Sequence, residues 1–453
     1  ARKAIELNSS VFNSNFLLGT ILLERQKLQE AEALLRKTIE LKPDFIKAYL
    51  SLGAVLKELG HLEEAISAQR KAIELHPDSA EAHSNLGNLL LDLGQLKEAE
   101  LSIRKAITLN PNSAEAHLNL GTILIDLGQL QEAELSIRKA IKLNPDFAQA
   151  HSNLGTILID LGKLQEAEVS IRKAITLNPD VEQAHANLGN LLRELGKPQE
   201  AELSIRKAIT LNPDFAQAHS NLGTILIDLG KPKEAELSIR KAIKLNPDFA
   251  QAHSNLGKLL RDIGQLKEAE LSIRKAIKLN PDFAAAHLNL GNLLRDIGKL
   301  QEAELSIRKA ITLNPDFATA HSNLGTILRE LGKPQEAFKY WIKSVELNPE
   351  DEKSVNNLAL HLCFEQKYDL ALKYLSKNNS NSCQSLYLGC LLSLDREKEF
   401  TEKYQELSEK RVCNANIGGV VEHANIIYKK TFDSPFCNEA IKYVLIDKIN
   451  EES

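Results

Sequence analysis

An asparagine returns every 34 residues through most of this chain: Asn85, Asn119, Asn153, Asn187, Asn221, Asn255, Asn289, Asn323 and Asn357. Seven residues after each of the first eight stands an acid, Asp92, Asp126, Asp160, Glu194, Asp228, Asp262, Asp296 and Glu330, and Glu58 continues that row toward the N-terminus. An amide side chain both donates and accepts, so it can pair with a peptide group of any sequence as a neighbouring strand would. The residue before the acid changes along the chain: Ile125, Ile159 and Ile227 give way to Arg193, Arg261, Arg295 and Arg329. That change makes the C-terminal half more zwitterionic and suited to a ligand of mixed charge. The chemistry on offer is sequence-tolerant capture of an extended polypeptide. Near-identical units set a second reading beside it, because duplication copies any solvated asparagine. Ser51 and Leu17 break the row, whereas Asn357 persists where neighbouring positions have diverged.

Histidine follows the same beat at His83, His117, His151, His185, His219, His253, His287 and His321. A metal site needs several ligands within a few ångströms of one ion. One histidine per unit points instead to packing, with a collective pH response and a metal site as the alternatives. His361 and His423 have no evident partners, and no Ser/His/Asp set, phosphate loop or metal-ligand spacing occurs. No catalysis, cofactor or metal is expected of these residues.

The elements that hold these side chains are set by ten prolines 34 residues apart, from Pro43 to Pro349, each closing a near-copy of one sequence. A unit this short cannot bury its apolar face alone, so copies must stack. With the proline as position 32, full units begin at Phe12, Ile46, Ala80, Ala114, Ala148, Glu182, Ala216, Ala250, Ala284 and Ala318. Leu154, Leu158 and Leu161 line a first helix, and Leu164, Ala167, Ile171, Ala174 and Ile175 a second. Asp146 to Gln149 and Asp78 to Glu81 read as capping pairs, the acid accepting backbone N–H groups and the later side chain reaching back. Gly162 ends the first helix, because glycine enters the left-handed conformation cheaply. Pro198, Pro232 and Pro334 fit the first turn of the second. On the first helix, positions 2, 6, 9 and 13 form one stripe, which carries the asparagines and acids.

Leu-Gly at positions 7 and 8, Ala at 20 and 27 and Pro at 32 resemble the tetratricopeptide repeat, over about residues 1–378. The resemblance implies an all-α, right-handed superhelical solenoid of antiparallel helix pairs, with the asparagine stripe in its concave groove. The expected organisation is a partial repeat over 1–11 (a truncated second helix), ten regular units over 12–351, a degenerate unit over 352–385, and a helical cap or junction over 386–453. Within the last region Leu386–Leu392, Val420–Lys430 and Asn438–Ile449 read as helices, and Phe364, Tyr368, Tyr374, Tyr387, Phe400 and Tyr404 would cover the apolar end of the stack.

With 56 Lys plus Arg against 61 Asp plus Glu, the net charge of −5 gives no global attraction to nucleic acid or anionic membranes. The five cysteines follow no CxxC spacing and are expected as reduced, buried thiols. With no membrane-spanning run and no signal segment, a cytoplasmic protein is expected. The expected function is a protein–protein interaction scaffold. The asparagine ladder and its acids also resemble the peptide-holding arm of O-linked N-acetylglucosamine transferases. That resemblance implies the alternative of a substrate-recognition arm whose catalytic domain, a glycosyltransferase or an iron-dependent oxygenase, lies outside this sequence. The absence of methionine and the opening ARKAIELN read as a fragment, with self-association through uncovered ends as a further expectation.

Overall fold

The computed structural model describes residues 2–410 and 415–428, and the described residues form helices joined by short turns, with no strand. The expected helix at Asn438–Ile449, the stretch Thr431–Ile449, and Cys413 and Cys437 lie outside the described residues. The chain divides into two units, Ala1–Gly230 and Lys231–Ser453. Each is a run of antiparallel helix pairs in which contacts reach only neighbouring pairs, the expected architecture.

The Ala148 repeat shows why the sequence folds this way. Its first helix, Ala148–Asp160, ends where Gly162 takes φ +72°. There the Gly162 and Lys163 amides donate back to the Ile159 and Leu158 carbonyls at 2.9 and 2.8 Å, closing the end of the helix. The second helix, Leu164–Leu177, buries Ala167, Ile171 and Ala174 against the first. Closeness depends on Gly155, where a Cβ would lie 2.3 Å from Ile171 Cγ1. In the second unit a tryptophan replaces this isoleucine: Trp341 is fully buried against Gly325, and its Nε1 donates to the Ser322 carbonyl at 3.3 Å.

Four expectations change on contact with the structure. Capping by Asp146 and Asp78 does not occur. The helix caps are Phe147, whose side chain accepts nothing, and Ser79, whose hydroxyl accepts from the Ala82 amide at 3.2 Å. The turn is held instead by the asparagine before the proline, Asn144 Oδ1 accepting from the Asp146 amide at 3.2 Å. The N-terminal half-helix does not stop near residue 11 but continues as one helix, Arg2–Glu24. The reason is Ser9, which stands where each of the ten regular repeats has its helix-ending proline. Beyond Pro349 the helices are Glu352–Phe364, Tyr368–Leu375, Asn381–Ser393, Glu397–Glu409 and Ala415–Tyr428, so two of them start earlier than expected. Phe400 and Tyr404 are buried there as expected, whereas Phe364 is 86% exposed.

Candidate functional site

The asparagine row lies where first helices of neighbouring repeats meet, half-buried throughout except at Asn323, which is buried. The glutamine four residues earlier fixes its orientation. Gln149 Nε2 donates to Asn153 Oδ1 at 2.7 Å, and the same bond holds Asn187, Asn221 and Asn255 at 2.8 Å. Gln149 and its equivalents, assigned from sequence to capping, therefore serve the ladder. On the other side Asn153 Nδ2 donates to Thr122 Oγ1 of the preceding repeat at 3.3 Å. Asn289 reaches Ser254 Oγ at 3.0 Å, and Asn323 reaches Asn292 Oδ1 at 2.8 Å while accepting from Lys353 Nζ at 3.5 Å. The amide nitrogens of Asn119 and Asn221 are buried with no partner. Asn85 and Asn357 occupy the same half-buried position.

The acids divide into two kinds. In the first unit Lys57 meets Asp92 of the next repeat at 2.8 Å, and Arg193 meets Asp228 at 2.5 Å. In the second unit Arg261 pairs with Asp262 at 2.8 Å and Asp296 at 3.6 Å, and Arg295 with Glu330 at 3.1 Å. Position 12 of one repeat thus touches position 13 of the next. Arg329 lies instead over the Trp341 ring, 5.6 Å from its centroid. Where position 12 is Leu91, Ile125 or Ile159, the acids that follow, Asp126, Asp160 and Glu194, are exposed and take part in no ion pair among the described residues. They are consecutive. The result is a stretch of three repeats carrying open negative charge beside half-buried aliphatic side chains.

The histidines staple turns. His83 Nε2 donates to the Pro77 carbonyl at 2.9 Å, and the bond recurs at each of the eight, from 2.8 Å at His321 to 3.1 Å at His117. His185 and His321 are buried and the others half-buried, so packing and turn-holding are one role.

A second ladder, which the sequence reading missed, runs along the second helices. Arg138 donates both to Glu134 on its own helix, at 2.9 Å, and to Glu166 of the next repeat, at 2.8 Å. The link to the next repeat recurs in the first unit from Arg36–Glu64 through Arg172–Glu200, and in the second at Arg240–Glu268, Arg274–Glu302 and Arg308–Glu336. Lys163 and Lys197 add a further tie, to Glu134 and Glu168 of the repeats before them. These lysines, with Arg138 and Arg172, hold the two carboxyls below their ordinary range against the opposing effect of burial. Near the C-terminal end the thiols of Cys363 and Cys390 lie 3.3 Å apart, which pushes the buried Cys390 thiol up, while Cys383 is buried by itself. Among the described residues no helix is long and apolar enough to cross a membrane.

Comparison with known proteins accords with this architecture. Residues 2–221 match the family model described as the Cilia and flagella-associated protein 70 C-terminal domain. Models of the tetratricopeptide repeat match residues 216–249, 254–316 and 288–352. No curated protein matches the chain. Among solved structures, a monomeric mutant of IFIT1 with Gppp-AAAA aligns at TM-score 0.52 and 17% identity over 80% of this chain and 90% of that one. A tetratricopeptide repeat protein from Parabacteroides merdae aligns at TM-score 0.45 and 20% identity over 56% of this chain and 99% of that one. The Cut9–Hcn1 hetero-tetramer of APC/C aligns at TM-score 0.46 and 12% identity over 78% and 96%.

Proposed function

The repeats of this chain are tetratricopeptide repeats, and from that premise we propose that it is an interaction scaffold that holds an extended, basic segment of a partner protein along its first helices. The observation that carries the reading is the run of open acids, Asp126, Asp160 and Glu194, between closed pairs at Asp92 and Asp228. Packed helices lie roughly 8–10 Å apart, and an extended chain advances about 3.3 Å per residue. One acid therefore meets about every third residue of a threaded segment, and a Lys or Arg at that spacing is what the three acids select. Ile125 and Ile159 beside them give the intervening side chains an apolar surface and lower the local dielectric.

The asparagines supply the part that does not depend on sequence. Asn119 and Asn221 each hold an amide donor with no bond in the chain, and a buried unmet donor costs about 1–3 kcal/mol. A turn of the side chain toward the row lets a peptide carbonyl relieve it. Asn153, Asn187, Asn255, Asn289 and Asn323, already bonded to neighbours, offer a pre-set row that a ligand joins without rearrangement. Arg193, closed on Asp228, ends the basic-selective stretch on its C-terminal side, and in the second unit the charges of Arg261 and Arg295 are matched by acids while Arg329 is seated on a ring.

The test is fluorescence anisotropy with a labelled peptide carrying lysine at every third residue. Asp126→Asn, Asp160→Asn and Glu194→Gln together weaken binding by roughly tenfold or more, the scale of several partly desolvated charge pairs. Ile125→Arg with Ile159→Arg, which recreates the Arg193–Asp228 pair at Asp160 and Glu194, does the same while leaving the acids in place. Equal affinity for wild type and both variants sinks the reading.

A further inference from the structure

The second helices of the first unit carry a feature that the groove reading leaves unused. Leu101, Leu135, Val169 and Leu203 occupy one position in four successive repeats and are 69–71% exposed. Scattered exposed leucines are ordinary, but aliphatic side chains repeating in register along one face mark an interaction surface. The row starts after Ser67, which holds the same position one repeat earlier, and the second unit carries it again at Leu237, Leu271 and Leu305, exposed to the same extent.

Each row of side chains beside these aliphatics has a single sign. Three residues before them stand Glu98, Glu132, Glu166 and Glu200, and four residues after them stand Lys105, Lys139, Lys173 and Lys207. Residues three and four apart share a helix face. The face is therefore striped acid, aliphatic, base. Every glutamate is linked to an arginine of the previous repeat and still about half exposed. Lys105, Lys139 and Lys207 are exposed and enter no ion pair among the described residues, and Lys173 reaches only Asp146, at 3.8 Å.

The same face holds clefts between successive second helices. One of 460 Å³ is floored by Ile107 and Leu120 with Leu135 as a wall, and Arg104, Glu132 and Lys139 stand at its rim. Another of 480 Å³ repeats it two repeats on, with Ile175, Leu188 and Leu203 in those places. Protruding aliphatics and apolar-floored clefts thus alternate along one face at the spacing of the repeats.

We propose that this face is a self-association surface whose occupant is a second copy of the chain, with the aliphatic row of each copy packed along that of the other. Two observations select a second copy over an unrelated apolar partner. Only an array of the same repeat spacing keeps the four aliphatic side chains of one copy opposite those of the other. Only a surface with the same stripes meets all three rows at once: a two-fold axis along the array reverses the second helices across the interface and lays each acidic row on the partner's lysine row. A two-fold that left these helices parallel would set glutamate on glutamate and is disfavoured. The proposal does not rest on the groove reading, because it uses the second helices alone.

Sedimentation or light scattering of the full chain across a wide concentration range tests it. The expected result is a molar mass rising to that of two chains. Leu135→Glu with Leu203→Glu weakens self-association by at least about tenfold, without change in helical circular dichroism or melting, since both side chains are exposed in the single chain. Lys105→Glu, Lys139→Glu and Lys207→Glu together weaken it as well, by breaking the stripe match, whereas Ile125→Arg with Ile159→Arg leaves it unchanged. A wild-type mass that stays at one chain throughout overturns the proposal and leaves the face to a different partner. So does association that survives the leucine substitutions intact.

Discussion

Nine glycines follow first helices in the left-handed conformation, from Gly60 to Gly332, and Gln26, Gln366 and Asp395 adopt it at φ 60°, 58° and 54° without being glycine. A side chain in that region costs about 1–2 kcal/mol per residue, and glycine returns part of any gain as chain entropy in the unfolded state, about 0.4–1 kcal/mol. Gln366→Gly is accordingly stabilising by several tenths to about 1 kcal/mol. Urea unfolding followed at the C-terminal helices reads it as a higher midpoint with unchanged slope. At this scale the glycines and prolines were legible in the sequence, since backbone conformation is a property of one residue and its neighbours. The bond from Gln149 to Asn153 was legible in spacing, as residues four apart on one helix, but capping offered a competing use for the same glutamine. The pairs Asn153–Thr122 and Arg193–Asp228 were not, because they join side chains 31 and 35 residues apart. Their meeting depends on how one repeat is rotated on the next.

The helix pair is the element in which packing is decided, and its tightest place is the contact between Gly155 and Ile171. An added methyl at Gly155 would meet Ile171 Cγ1 at 2.3 Å and the Ala167 carbonyl oxygen at 3.5 Å, so the isoleucine must leave its place or the helices must part. Overpacking of this kind costs typically about 1–3 kcal/mol. Gly155→Ala therefore lowers the melting temperature, and adding Ile171→Val does not restore it, since valine keeps a γ-carbon at the place of the clash. Trp341 tests the same contact from the other side: a fully buried indole cut to alanine leaves a cavity worth about 3–5 kcal/mol. Loss of that size confined to Trp341→Ala, with Phe364→Ala close to neutral because its ring is exposed, is the expected contrast in thermal unfolding. The expectation that aromatics after Pro349 would cover the stack met its limit here. Hydrophobicity says that a ring gains from burial, but whether Phe364 or Phe400 obtains it depends on where the shortened Tyr368–Leu375 helix leaves room.

Across the whole molecule, local links stand in for a single core. Within each unit, contacts among the described residues reach only adjacent repeats, so stability is close to a sum of repeat terms and nearest-neighbour terms. The arginine–glutamate ladder belongs to the second kind. An exposed ion pair contributes about 0–1 kcal/mol, and most of these pairs are half exposed. Glu134, Glu168 and Glu304 differ, since their side chains are only 11%, 16% and 14% exposed and each is held by a lysine of the next repeat and an arginine of its own helix. Because their carboxyls are held below the ordinary range in the folded chain, they bind fewer protons folded than unfolded. Their stabilising contribution is complete above the unfolded carboxylate value of about 4.3 and is lost as pH falls through the lower, folded value. The melting temperature is thus expected to hold level from pH 8 to about pH 5 and to fall below that. Glu134→Gln with Glu168→Gln lowers the plateau and flattens the fall, since the amide stays neutral at every pH; an unchanged acid limb in that variant would assign the loss to other carboxyls. Salt at neutral pH separates the two kinds of pair. The screening length shortens from about 10 Å at 0.1 M to about 3 Å at 1 M and acts most strongly on exposed charge, so molar salt weakens the half-exposed arginine links more than the lysine ties to Glu134 and Glu168. The fraction of the melting temperature removed by these two substitutions should then be larger at high salt than at low.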